Sequence, residues 1–200
     1  MSSENETTPP GGQTDERIRA ATVGDLQPHD APVRLVEYDP AWPALFEREN
    51  ERIRSILGDR VLLLEHAGST SVPGLAAKPH IDMVLVVPDS SDEAAYVPDL
   101  EAGGYVLRIR EPDWFEHRMF KGPDTNVNLH VYTDGCEEVG RMLLFRDWLR
   151  SHPDDRDLYE RTKRELAARH WRYVQNYADA KTAVVREIMA RAEAGAVSER

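Results

Sequence analysis

The chain has 200 residues, 40% of them hydrophobic, and carries a formal net charge of −11 at pH 7. That is enough chain for one domain with a sizeable core, and the acidic balance argues against extended nucleic acid as a partner, since a polyanion is repelled over most of such a surface. No apolar run approaches the roughly 18 residues that cross a bilayer and no signal peptide opens the chain, so no membrane association is expected, and the lone Cys136 agrees with the cytoplasm as the default location.

Residues 1–31 are rich in Ser, Glu, Thr, Pro, Gly and Asp and poor in large apolar groups. They are expected to form a disordered tail, with at most a transient helical turn over Ile18–Leu26. A single domain is expected over residues 32–194 and a polar tail over 195–200. Val33–Glu37 reads as a short edge strand. Asp39 is expected to cap a helix with Pro40 and Pro43 in its first turn and Leu45, Phe46, Ile53, Ile56 and Leu57 on its apolar face; Gly58 ends it. Two short aliphatic strands follow, Leu62–His66 and Ile81–Val87. A helix capped within Pro88–Ser91 is expected to run to Ala102, where Gly103-Gly104 stops it. Tyr105–Arg110, Glu116–Lys121 and Asn126–Tyr132 read as three antiparallel strands, because their connections are short and rich in Gly, Pro and Asp. Helical periodicity marks Glu137–Arg150, Asp155–His170 and Tyr173–Ala192. The whole reads as an α/β (α+β) fold, a mixed β-sheet with helices packed on it and a C-terminal helical segment.

Between the two aliphatic strands lies Gly68-Ser69-Thr70-Ser71-Val72-Pro73-Gly74. Its glycines allow close backbone approach to a ligand, and the hydroxyls of Ser69, Thr70 and Ser71 sit beside backbone N–H groups that suit an anion. Asp82, fourteen residues after Gly68, opens the second strand. Glycine-serine, a linker and then an acid on an apolar strand resembles the signature of the polymerase-beta-like nucleotidyltransferases. The wording from Gly68 to Pro79, followed by Ile81-Asp82, resembles more closely the GrpB family, a branch of that fold. The resemblance runs from Val33 to about Arg191. It includes Glu37–Pro43, His117-Arg118, Asn128–Val131, Leu144–Arg150 and Tyr177–Lys181.

This resemblance implies a nucleotidyltransferase-like protein that binds a nucleotide or another phosphorylated small molecule at Gly68–Gly74 and transfers a nucleotidyl group, with magnesium at Asp82. The position two residues on, where that fold normally places a second acid, is Val84. A catalytically degenerate binding or interaction module with a protein partner is therefore the alternative. The extra domain of some bacterial dephospho-CoA kinases, which GrpB-like domains also resemble, would link it to coenzyme A metabolism.

On a strand, His130 and Asn128 share a face. With His66, and His117 or Arg118 from the neighbouring strand, His130 would give imidazoles in place of missing carboxylates around a transition metal. A metal-dependent hydrolase using Asp82, His117 and His130 is thus a third reading; His130 beside Asp82 also suits a general base. Four of the 25 basic residues are lysine: Lys78, Lys121, Lys163 and Lys181. Lys78 lies close enough to the loop to add charge. Lys181 falls on the apolar stripe of Val174, Tyr177, Val184 and Ile188, where an ammonium needs an anion or a route to solvent. Lys163, one turn after Tyr159, is placed likewise. If Lys163, Lys181 and Arg118 converge on the mouth of the Gly68 loop, they form an anion site. Trp42, Trp114, Trp148 and Trp171 are expected to serve packing, and Arg146-Asp147 to form an ion pair.

Overall fold

The computed structural model describes residues 14–26 and 31–198. In chain order the elements are α1 (Asp15–Ala21), β1 (Ala31–Pro32), α2 (Trp42–Leu57), β2 (Leu63–Ala67), β3 (Ile81–Val87), α3 (Val97–Ala102), β4 (Val106–Glu111), β5 (His117–Lys121), β6 (Val127–Thr133), α4 (Glu137–Ser151), α5 (Pro153–Ala167), β7 (His170–Trp171), α6 (Val174–Ala180) and α7 (Thr182–Ser198). The main sheet has the order β2-β3-β6-β5-β4. β3 pairs antiparallel with β2 and parallel with β6, while β6, β5 and β4 form an antiparallel meander. The fold is thus a mixed sheet of the nucleotidyltransferase-like kind, with helices on both faces.

β3 reads Ile-Asp-Met-Val-Leu-Val-Val because it lies second in the sheet with both faces covered; from Met83 to Val87 every side chain is buried. On one face Met83, Leu85, Leu129, Val131 and Phe120 pack against α2 and α3 through Ile53, Leu57 and Leu100. On the other, Val84, Val86 and Tyr132 meet Val139 and Met142 of α4. Period-two alternation leaves Asp82, Asn128 and Lys121 side by side on this second face, at its open end, because Asp82 pairs with Asn128 and Asn128 with Lys121. The helices α4, α5 and α7 close over the loop that precedes β3. Val72 and Leu75 of that loop are buried among Leu149, Tyr159, Val184 and Ile188.

Several expectations are corrected. The tail expected over residues 1–31 contains, in its described part, the helix α1, capped by the Thr14 hydroxyl. Ile18 is buried, Thr22 bridges to Ile109, and the Val23 N–H donates to the Arg108 carbonyl, so this segment covers the free edge of β4. The rest of the expected tail, residues 1–13 and 27–30, lies outside the described residues. Val33–Glu37 is a single bridge, Val36 to Ala77, instead of a strand. α2 begins at Trp42; Asp39 accepts from the Ala41 N–H ahead of it. The helix expected after Pro88 is a 3-10 turn, Glu93–Ala95, followed by the short α3. The long last helix is broken at Lys181 into α6 and α7, and α7 continues past residue 194.

Candidate functional site

Gly68 ends β2 with φ +64°, and a Cβ added there would stand 2.9 Å from Asp82 Cβ and 3.0 Å from its Cγ, closer still to Oδ2. Glycine is required for both reasons: the left-handed backbone and the carboxylate pressed against it. The chain then makes a 3-10 turn, Ser69–Ser71. The three hydroxyls expected to face a ligand divide. Thr70 is buried, donates to the His80 carbonyl at 3.1 Å and bonds His66 Nε2 at 3.0 Å. Ser71 is buried and donates to the Gly68 carbonyl at 2.6 Å. Both hydroxyls stitch the turn together, which is the commoner use of Ser and Thr in such loops. Ser69 remains beside the site, where its Oγ accepts from the Lys163 ammonium at 3.1 Å.

Asp82 keeps 29% of its side chain exposed. Its Oδ1 accepts from Asn128 Nδ2 at 2.6 Å, and Asn128 Oδ1 in turn accepts from Lys121 Nζ. Burial works to raise the Asp82 carboxyl, yet His130 in its protonated form, Asn128 and Lys78 outweigh it and hold the group well below the usual carboxylate range. His130 Nε2 stands 3.9 Å from Asp82 Oδ1, beyond hydrogen-bond reach. Behind His130 runs a chain across the sheet: His130 Nδ1 to His117 Nε2 at 3.0 Å, and His117 Nδ1 to Glu111 Oε2 at 2.8 Å. A carboxylate only accepts, so His117 carries its proton on Nδ1 and accepts at Nε2, and a neutral His130 then carries its proton on Nδ1. Its Nε2 lone pair faces the open corner at Asp82. Burial pushes His117 down to about 4, in keeping with a neutral ring. Both of its nitrogens are spent in this chain, so it cannot ligate a metal together with Asp82.

The four lysines gather at this corner. Lys121 reaches it from β5 through Asn128. Lys163, buried on α5, donates to the Ala76 carbonyl and to Ser69. Lys78 and Lys181 lie on the Tyr177 ring, with Nζ 5.6 and 5.0 Å from its centroid. Neither of these two ammonium groups has a hydrogen bond or an ion pair among the described residues, and the buried Tyr177 hydroxyl also lacks a partner. Burial, reinforced by the neighbouring Lys181 charge, pushes Lys78 down to about 8 and Lys163 down to about 7. Lys121 and Lys181 are pushed below the ordinary lysine range by burial too, with Asp82 opposing the shift in both. Desolvated cations that form no ion pair among the described residues are what an anion would neutralise.

Arg118 does not join them. In β5 it alternates with Lys121 and shares the face of Phe120, where it donates to Glu93 at 2.6 Å and to the Glu116 carbonyl at 2.7 Å. His66 likewise turns to the other face and stacks on Phe46. The donor set does not fit the expected magnesium. There is one carboxylate, the position two residues on is the fully buried Val84, and Asn128 spends its oxygen on Lys121. Magnesium needs well-placed anionic oxygens, and four ammonium groups offer the opposite field. An expected transition-metal set of Asp82, His117 and His130 fails on the His117 bonds already described.

A family model described as "GrpB protein" matches residues 32–191. The chain belongs to the GrpB family. A UPF0157 protein of Halalkalibacterium halodurans is 61% identical over 194 residues, covering 97% of this chain and 98% of the relative. The crystal structure of conserved protein GrpB from Enterococcus faecalis has 34% sequence identity and a TM-score of 0.70, over 80% of this chain and 96% of that one. A dephospho-CoA kinase of Mycolicibacterium paratuberculosis is 33% identical over 165 residues, 70% of this chain and 40% of the relative, so the GrpB chain spans less than half of that protein. No helix among the described residues is long and apolar enough to cross a membrane.

Two members of the corner were outside the residues singled out from the sequence for ligand contact: Lys121 and Tyr177. Lys121 was within reach, since its spacing of four from His117 and its scarcity as a lysine both mark it. Tyr177 had only its helical phase with Lys181 as a signal.

Proposed function

We propose that this GrpB chain binds a nucleotide or another phosphorylated small molecule with its phosphate over Lys78, Lys121 and Lys181, beside Ser69 and Asp82. The observation that carries the reading is the gathering of all four lysines at one corner, none of them in an ion pair among the described residues. A phosphate there would accept from the Lys78 and Lys181 ammonium groups. Chemistry follows from the tautomer of His130. The acceptors His130 Nε2 and Asp82 Oδ1, 3.9 Å apart, suit a hydroxyl donor that touches both. His130 takes the proton of that hydroxyl, its oxygen bonds to phosphorus, and the bond from phosphorus to the leaving group breaks; Asp82 stabilises the imidazolium that forms. This is nucleotidyl transfer when the leaving group is pyrophosphate.

Val84 favours a second reading, in which the same ligand is bound without turnover and the chain serves as a binding module. Thermal shift and calorimetry with inorganic phosphate, AMP and ATP, each with and without magnesium, test the binding. Lys181→Met should weaken phosphate binding about tenfold, the worth of one charge-assisted contact. Asp82→Asn should keep or tighten it and abolish transfer to a hydroxyl. Binding that needs magnesium and disappears in Asp82→Asn would return the corner to a metal site. Equal binding in both forms with no transfer by the wild type would leave the binding module.

A further inference from the structure

On the far side of the Ser69–Ser71 turn from Asp82 lies a cavity of about 430 Å³, a volume that suits a small ligand. One wall is apolar, formed by Tyr38, Pro43 and Phe46 from the start of α2 and by Pro73. The opposite wall is basic: Arg146 and Arg150 of α4 and Arg156 of α5. His66 and Ser71 lie between, so the turn divides this cavity from the lysine corner.

The three arginines differ in how they are held. Arg146 donates to Glu65 at 2.7 Å, to the His66 carbonyl at 2.9 Å and to Asp147 at 2.8 Å. Arg150 makes two bonds to the Ser71 carbonyl, at 3.0 and 2.9 Å, and one to Asp147. These two build a rigid wall. The half-buried Arg156 guanidinium has no hydrogen bond or ion pair among the described residues. Glu47 and Glu65, the acids of the lining, already accept from Asn50 and Arg146. His66, pushed down to about 4 by burial, adds no charge. Arg156 thus lacks an anionic partner among the described residues, and a ligand could supply one on a flat apolar body that fits against Tyr38, Phe46 and the two prolines.

We propose that this cavity, between the start of α2 and the arginines of α4 and α5, is a second ligand site for a small molecule carrying one carboxylate or phosphate on an aromatic body. It takes a ligand separate from the one at the lysines, because neither Asp82 nor any lysine lines it. The two sites share that turn: Arg150 holds the Ser71 carbonyl on one side and Lys163 holds Ser69 on the other.

Two probes separate the headgroups, benzoate for carboxylate and phenyl phosphate for phosphate. They are titrated into the full chain while the arginine side-chain N–H resonances and the ring resonances of Tyr38 and Phe46 are followed by NMR, with inorganic phosphate as the reference. At least one probe should shift Arg156 together with the two rings and bind about tenfold more tightly than inorganic phosphate does there. Arg156→Gln should weaken that probe about tenfold and Arg156→Lys by less, while Lys181→Met leaves it unchanged. A melting temperature no lower than that of wild type shows that each variant is folded. The proposal is overturned if neither probe shifts these resonances, or if Arg156→Gln binds as tightly as wild type. Loss of probe binding in Lys181→Met alone would place the ligand at the lysines and overturn it as well.

Discussion

The arginines and the lysines of this chain live by different rules. Every ion pair among the described residues draws on an arginine or a histidine, and none on a lysine. Around α4 the guanidinium fork does structural work: Arg146 ties Glu65 of β2, the His66 carbonyl and Asp147 at once, and is itself buried. Five donors in a plane satisfy such a junction, which a compact ammonium cannot. Around Asp82 the ammonium groups lie over tyrosine rings or bond neutral groups, with their charge disfavoured by burial. The first region spends its cations on folding, and the second keeps them in reserve. That contrast is why the lysine corner reads as a site and the arginine junction as a brace.

The contrast should show most strongly in stability. Arg146→Met removes bonds to a carboxylate on β2 and to a buried carbonyl, and should cost about 2–3 kcal/mol, since hydrogen bonds to charged groups are worth about 1.5–3 kcal/mol each. At about 2–4 °C per kcal/mol for a chain of this size, the melting temperature should fall by about 4–12 °C. Lys181→Met should do the opposite, because replacing a desolvated, unpaired cation by an apolar side chain of similar shape is neutral or stabilising. A loss as large as that of Arg146→Met would mean that Lys181 braces the fold, and the contrast would break. With inorganic phosphate present the order should reverse, wild type gaining melting temperature by linkage and Lys181→Met gaining little.

How much of this was legible beforehand depended on the range of the interaction. β3 could be read because seven residues carry their own pattern, and Gly68 because a turn and an acid fourteen residues away share one motif. The lysines could be read because a rare residue stands out wherever it is kept. Arg118 was misjudged although the period of two was in hand: adjacent to His117 on the strand, it must face the other way, onto the side of Phe120. Thr70 and Ser71 could not be resolved from sequence, since a hydroxyl that binds a phosphate and one that ties a turn have the same neighbours. The cover of α1 over the β4 edge was hidden for another reason. A seven-residue helix with one buried isoleucine shows at most a cap and a turn locally, and its stabilisation comes from a strand about ninety residues later in the chain.

A smaller effect, in pH dependence, sharpens the same division. Lys163 is pushed down to about 7 and Lys78 to about 8, against an ordinary value of 10.5. Between those folded values and 10.5 the unfolded chain binds more protons than the native one, so stability rises with pH across that window. Below pH 7 both groups are protonated in both states, and the cost of burying their charge is fully present. Melting curves taken from pH 7 to pH 9.5 should therefore climb for the ligand-free protein, and the climb should be weaker in Lys163→Met. No arginine contributes, because guanidinium groups stay protonated throughout.

The smallest expected signal is also the most selective for an anion. A phosphate seated among these lysines favours their charged forms and raises their pKa values, so binding at pH 8 takes up protons. Calorimetry of phosphate binding at pH 8, in two buffers of different ionisation enthalpy, should give observed heats whose difference corresponds to uptake of up to about one proton per site. At pH 6 the lysines are already charged, and any uptake left belongs to the phosphate or to a histidine. The Lys163→Met variant should lose most of the pH 8 difference while still binding phosphate through Lys78 and Lys181. If the full difference persists without Lys163, the proton comes from elsewhere, and the lysines are then held by the fold in the same way as the arginines.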